Sequence, residues 1–127
     1  MEDHIPEDWN PDPKLMSKIV DLKYALFAQD LNSRWKILCR KIKAEVKESP
    51  DRYSLLYLPY PVIVPGGRFR EIYYWDSFWI IRGLIQCEML STAKGKCQAL
   101  FFYTANVYRQ RTDRLLFLYA IITHENV

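Results

Sequence analysis

The chain has little from which to build a metal centre or a disulfide scaffold. Its 127 residues include three cysteines (Cys39, Cys87, Cys97) and two histidines (His4, His124). No CxxC pair occurs and the histidines lie at opposite ends, so neither a disulfide framework nor a structural zinc site is expected. Long apolar runs are missing as well. The longest, Leu115 to Ile122, has eight residues, against about twenty for a bilayer span. The residues after Met1 are acidic and proline-bearing, so no secretory leader is expected, and no N-x-Ser/Thr acceptor is present. Read this way the chain is soluble and carries no address, which leaves its compartment open. Charge of one sign is also in short supply. A net +3 is weak and unclustered for a nucleic-acid module, so no nucleic-acid partner is expected. The arginines near residues 109–114 do not change that reading.

What is present is an ordinary globular composition, with 50% hydrophobic and 26% charged residues, in a length that suits one domain. Aromatics are rich at 15%. The ends differ in charge. Five acids and no base fall in the first 12 residues, while bases outnumber acids from Lys94 onward. Both ends read as solvated. All seven prolines lie within the first 65 residues, so the chain changes character near Pro65.

Residues 1–13 read as an extended arm, because Pro6, Pro11 and Pro13 forbid a continuous helix, and Trp9 is its anchor. A helix is expected from Lys14 to about Lys47, broken near Asp21, with Leu31, Trp35, Leu38 and Ile42 as its apolar stripe. Ser49-Pro50-Asp51 signals a short helical turn. Ser54 to Leu58 and Pro61 to Val64 read as extended segments, and Pro65-Gly66-Gly67 as a turn. A second helix is expected from Asp76, as its N-cap, to about Thr92. Its apolar residues surround nearly the whole circumference, so it needs neighbours on most sides. Lys94 to Lys96 reads as a polar break. Cys97 to Val107 and Leu115 to Thr123 are apolar runs whose periodicity fits helix or strand.

One constellation carries chemistry. Residues 65–79 read PGGRFREIYYWDSFW. Two glycines free the backbone to turn tightly and approach a ligand. An arginine follows, then a run of aromatics with a carboxylate directly after a tryptophan. Sugars need this mix: charged partners for their hydroxyls and aromatic planes for their C–H faces. The same residues also read as core aromatics with Asp76 as a helix cap.

This segment resembles the first signature of the α,α-trehalases, Pro-Gly-Gly-Arg-Phe-x-Glu-x-Tyr-x-Trp-Asp-Ser followed by an aromatic. The flanking stretches DWNPDPKLMSKI, RWKILCRKIKAEVKESPDRYSLLYLPYPVIV and IIRGLIQCEMLSTAKG agree with animal, particularly insect, members. The resemblance implies a mainly α fold: an incomplete piece of an (α/α)6 toroid, with short extended segments and a loop before the signature helix. It divides the chain into an N-terminal piece of the trehalase domain, 1–95, and a divergent tail, 96–127. It implies an inverting glycosidase that splits trehalose into two glucose molecules without metal or organic cofactor. Arg68, Trp75 and Asp76 match substrate-binding residues; Phe69 and Tyr73 line the same pocket, and Glu71 supports the loop.

The family's second signature, and the segments holding its catalytic Asp and Glu, are not found in this sequence. An inverting glycosidase needs an acid and a base about 6.5–9.5 Å apart across the scissile bond, so no catalytic residue is assigned. The expectation is a trehalase-family fragment, inactive alone, that binds trehalose or glucose weakly. The alternative is a non-catalytic sugar-binding or regulatory truncated form. Because the signature helix lacks covering partners, a marginal or self-associating species with exposed apolar surface is expected.

Overall fold

The computed structural model of the chain describes residues 1–107. The elements are β1 (Glu2–Asp3), α1 (Leu22–Leu38), β2 (Cys39–Lys41), α2 (Glu45–Glu48), β3 (Val62–Ile63), α3 (Tyr74–Gln86) and α4 (Leu90–Val107). Single 3-10 turns occur at Met16–Lys18 and Pro50–Arg52. The chain is mainly helical, as a piece of a helical toroid requires, and the short strands form one antiparallel sheet in the order β1-β2-β3. The expected apolar run Leu115 to Thr123, the charged link before it and most of the 96–127 tail lie outside the described residues.

The first long helix is shorter than its sequence predicts. Asp21 marks its start: the carboxylate accepts from the Lys23 and Tyr24 amides at 2.9 and 3.2 Å, satisfying donors that a helix start leaves open. α1 then ends at Leu38 rather than near Lys47. The next residues are drawn into the sheet, where Cys39 faces Ile63, and Arg40 faces Val62 on one side and Asp3 on the other. Arg40 and Asp3 form an ion pair across the strands. Sheet hydrogen bonding at a buried position outweighs helix propensity here. Of the expected stripe, Trp35 and Leu38 pack on the core from α1 and Ile42 reaches it from beyond β2, while Leu31 is 49% exposed. The face of α1 that turns inward carries Asn32 and the partly buried Trp35.

The second expected helix divides into two. α3 ends at Gln86, and Glu88 takes a left-handed backbone with φ of 59°. The Met89 amide reaches back to the Leu84 carbonyl at 2.9 Å, and the Glu88 amide to Ile85 at 3.0 Å. This is a helix stop of the kind a glycine usually provides. Glu88 is held there by Lys14, whose backbone amide and ammonium both contact its carboxylate at 3.0 Å. Those hydrogen bonds and charge lower the Glu88 pKa. The expected polar break at Lys94–Lys96 is absent. α4 runs through it because Ala93, Lys96, Cys97 and Leu100, at helical spacing, all turn inward. The anticipated boundary at Gly95 falls inside this helix.

The arm is extended and tied down, with Trp9 as anchor. The Trp9 indole donates to the Asn32 carbonyl at 3.0 Å and lies under the Lys36 ammonium. Asp8 caps α4 from a distance: its carboxylate accepts from the Thr92 amide at 2.9 Å and from the Thr92 hydroxyl. The core forms on both sides of the small sheet. Adjacent residues of a strand point to opposite faces. Val62 accordingly joins a cluster with Ile42, Leu58 and Leu100, while Ile63 joins one with Ile81, Leu84 and Met89. α3 packs on α4 and, through Gly83, on α1. A Cβ at Gly83 would lie 2.9 Å from Cζ2 of Trp35.

Candidate functional site: the hairpin tip and the start of α3

The Pro65-Gly66-Gly67 signal folds as a closed turn. The Gly66 amide donates to the Phe69 carbonyl at 3.2 Å, and the Phe69 amide returns the bond at 3.0 Å. Gly67 and Arg68 therefore stand at the tip. Gly66 has φ of 106°, and a Cβ there would come within 2.9 Å of Leu38 Cδ2. Position 66 thus excludes side chains on both conformational and steric grounds.

The two arginines of the turn are used differently. Arg70 turns back, its Nε donating to the Gly67 carbonyl at 3.2 Å. Arg68 is exposed and makes no hydrogen bond or ion pair among the described residues. Its guanidinium rests 5.0 Å from the Phe69 ring, and Phe69 meets Tyr73 edge-on at 5.8 Å. The tip thus presents unspent guanidinium donors beside an aromatic pair. Glu71 was expected to support the loop. It is exposed and makes no hydrogen bond there, because the Gly66–Phe69 pair and Arg70 already close the turn.

α3 begins at Tyr74, with Tyr73 as the extended residue before it, so Asp76 is not the N-cap. It lies in the first turn, where a carboxylate suits the positive end of the helix dipole. Ser77 beside it is fully buried, and its hydroxyl donates to the Tyr73 carbonyl at 2.6 Å, which fixes the turn. Asp76 is half-buried. Trp75 is 72% exposed and meets Trp79, itself 55% exposed, at 6.1 Å. The sequence pattern of an apolar helix without full cover is therefore realised as an exposed tryptophan pair.

Arg68 stands at the turn's tip and Trp75 and Asp76 in the first turn of α3, with Arg68 and Trp75 substantially in solvent. No hydrogen bond or ion pair among the described residues links them to one another. A cavity of about 200 Å³ lies elsewhere, bounded by His4, Asp8, Cys39, Tyr60 and Thr92. That is below the usual ~300–1,000 Å³ of ligand pockets, and the polar groups at its helix end are already joined as the Asp8–Thr92 cap. Burial pushes the Cys39 thiol up to about 11, with opposing help from Arg40. Among the described residues no group of three or more His, Cys, Asp or Glu is placed to hold a metal ion. No described helix is long and apolar enough to cross a membrane.

Lys96 is the residue that sequence reasoning missed. It is fully buried, and its ammonium donates to the Ile63 carbonyl at 2.8 Å. Its position on the apolar face of α4, three residues after Ala93 and four before Leu100, was the available signal. Burial lowers its pKa from 10.5 to about 8, while Asp76 and Cys97 act in the opposite direction.

A family model for trehalase matches residues 1–108. The trehalase of Apis mellifera is 53% identical over 94 residues, covering 74% of this chain and 15% of that protein. The trehalase of Oryctolagus cuniculus is 48% identical over 98 residues, covering 77% of this chain and 17% of that protein. The trehalase of Homo sapiens is 48% identical over 93 residues, covering 73% and 16%. The chain therefore spans about a sixth of the length of these curated relatives.

Proposed function

The chain belongs to the trehalase family, and from that premise we propose that it carries the rim of a trehalose-binding site. In this reading Arg68, at the tip of the hairpin, binds sugar hydroxyls through paired donors. Trp75 lies against a sugar face, and Asp76 accepts from neighbouring hydroxyls. The observation that carries the reading is the unequal use of the two arginines. Arg70 is spent on closing the turn, whereas Arg68 rests on Phe69 and makes no hydrogen bond or ion pair among the described residues.

Whole trehalases hydrolyse α,α-trehalose to two glucose molecules, and this chain is proposed to contribute to that reaction by binding. Inversion requires an acid on the leaving oxygen and a base on the attacking water. Asp76 is assigned to holding sugar and Glu71 is exposed with no hydrogen bond or ion pair among the described residues, so the chain by itself is proposed to be inactive. A chimera tests the reading. Residues 1–95 replace the matching segment of the Apis mellifera trehalase, and glucose release from trehalose is measured. The chimera should be active, and Arg68→Ala should lower its kcat/KM roughly tenfold to a hundredfold, with a much smaller loss for Arg70→Ala. Equal losses would contradict the assignment. Glucose release by the isolated 127-residue chain, abolished by Asp76→Asn, would overturn the inactivity.

A further inference from the structure

α1 is covered on one side only. Asn32 and Trp35 turn inward, while Leu22, Tyr24, Leu26, Phe27, Leu31 and Ile37 are each between 49% and 73% exposed. A helix that carries apolar side chains on so much of its circumference needs neighbours to cover them. Together these six leave roughly 700 Å² in solvent, close to the ~800 Å² that one partner gives to a standard interface. Apolar surface on this scale marks an interaction face.

The charges on that face say what covers it. At about 100° per residue, Asp30 and Arg34 point nearly opposite to Asn32 and Trp35. They form an ion pair at 2.9 Å, and each side chain stays 57% exposed, so each retains capacity for another partner. Their midpoint is level with residue 32. Leu26 lies six residues before that level and Ile37 five after it, on the same flank of the helix. A two-fold axis through this point reverses the helix direction. It sets Asp30 opposite Arg34 of a second copy, and Leu26 opposite Ile37 of that copy, each contact occurring twice. The face is thus complementary to itself in both charge and apolar pattern, as a two-fold interface requires. We infer that the outward face of α1 docks a second copy of this chain, packed antiparallel with Asp30 and Arg34 exchanged between copies. The inference is independent of the sugar reading, since none of Arg68, Trp75 and Asp76 belongs to α1.

Sedimentation velocity tests it on the 127-residue chain carrying Trp75→Gln and Trp79→Gln, so that the aromatic pair of α3 offers no second route to association. This chain should show a monomer–dimer equilibrium. Asp30→Arg and Arg34→Asp, each added separately, place like charges across the axis and should each raise the dimer Kd about tenfold or more. Mixed in equal amounts, the two reversed chains should form heterodimers as tightly as the unreversed chain forms its own dimer. A chain monomeric at every concentration, a dimer that neither reversal weakens, or a mixture no tighter than its components each overturns the proposal. So does a monomer in which NMR places residues 108–127 of the same chain against Leu26 and Ile37. Should a reversal unfold the chain, which far-UV circular dichroism reveals, cross-linking decides. The native cysteines are buried, so a short bismaleimide should join a Leu26→Cys chain to an Ile37→Cys chain. It should not join two Leu26→Cys chains, whose positions 26 lie about 18 Å apart along the antiparallel pair. Equal linking in the two cases overturns the pairing.

Discussion

Replacing Lys96 by methionine should stabilise the fold at neutral pH and lose that advantage in base. The unfolded lysine titrates at 10.5 and the folded one at about 8. Each pKa unit between the two states is worth about 1.36 kcal/mol, so keeping this ammonium charged inside costs roughly 3 kcal/mol. Methionine is of similar length and removes that cost, but it leaves the Ile63 carbonyl without its donor, a loss of about 1–2 kcal/mol. Asp76, partly buried, forms no direct ion pair with Lys96 that the substitution would break. The net gain should be roughly 1–2 kcal/mol below pH 8, in line with the general finding that an apolar isostere often beats a buried charge. The sign of the pH dependence follows from proton counts. Between about pH 8 and 10.5 the unfolded chain binds the extra proton, so wild-type stability rises with pH. Below pH 8 both states are protonated and the full cost remains. Urea unfolding of both proteins at pH 6.5 and 9.5, followed by circular dichroism, reads the difference, since the other titrating groups cancel. The methionine variant should be the more stable at pH 6.5, and the gap should shrink by about 2 kcal/mol at pH 9.5. A gap that does not change with pH would refute the reasoning.

Asp8→Ala removes the distant cap of α4 and should cost about 1–2 kcal/mol; hydrogen exchange should speed up at the Thr92 amide while α1 amides hold. Gly83→Ala places a Cβ 2.9 Å from Cζ2 of Trp35, so the Trp35 indole must move or α1 must shift with it. A loss of about 1–3 kcal/mol with a changed tryptophan emission should follow, and wild-type stability in this variant would show that the contact gives way freely. The exposed Trp75–Trp79 pair should drive concentration-dependent association in sedimentation velocity. The double variant Trp75→Gln, Trp79→Gln should reduce it, and an unchanged profile would place the association elsewhere.

The turn and its neighbourhood were legible because glycine and proline act locally. Gly66 and Gly67 adopt positive φ in a closed hairpin, and Asp21 does begin a helix. The arm was legible for the same reason, through its prolines and Trp9. Helix ends set by distant partners were not. Leu38 ends α1 because β1 and β3 claim the following strand, and a periodicity window does not contain that information. Glu88 replaces the usual glycine at the end of α3 because Lys14, far away in sequence, secures it. Lys96 looked like part of a solvated break because its residue type outweighed its position in the pattern. At the candidate site, the residue types of the 65–79 segment pointed to sugar chemistry. The division of labour between Arg68 and Arg70 needed the turn's hydrogen bonds.

The hairpin tip and the start of α3 are proposed to form a trehalose-binding rim. Trehalose titrated into the isotopically labelled 127-residue chain, with sucrose as control, tests it most directly. Saturable shifts should appear at the Arg68 guanidinium, the Trp75 indole and Asp76, be lost in Arg68→Ala and survive in Arg70→Ala. Non-saturating shifts, or equal responses to sucrose, would contradict it.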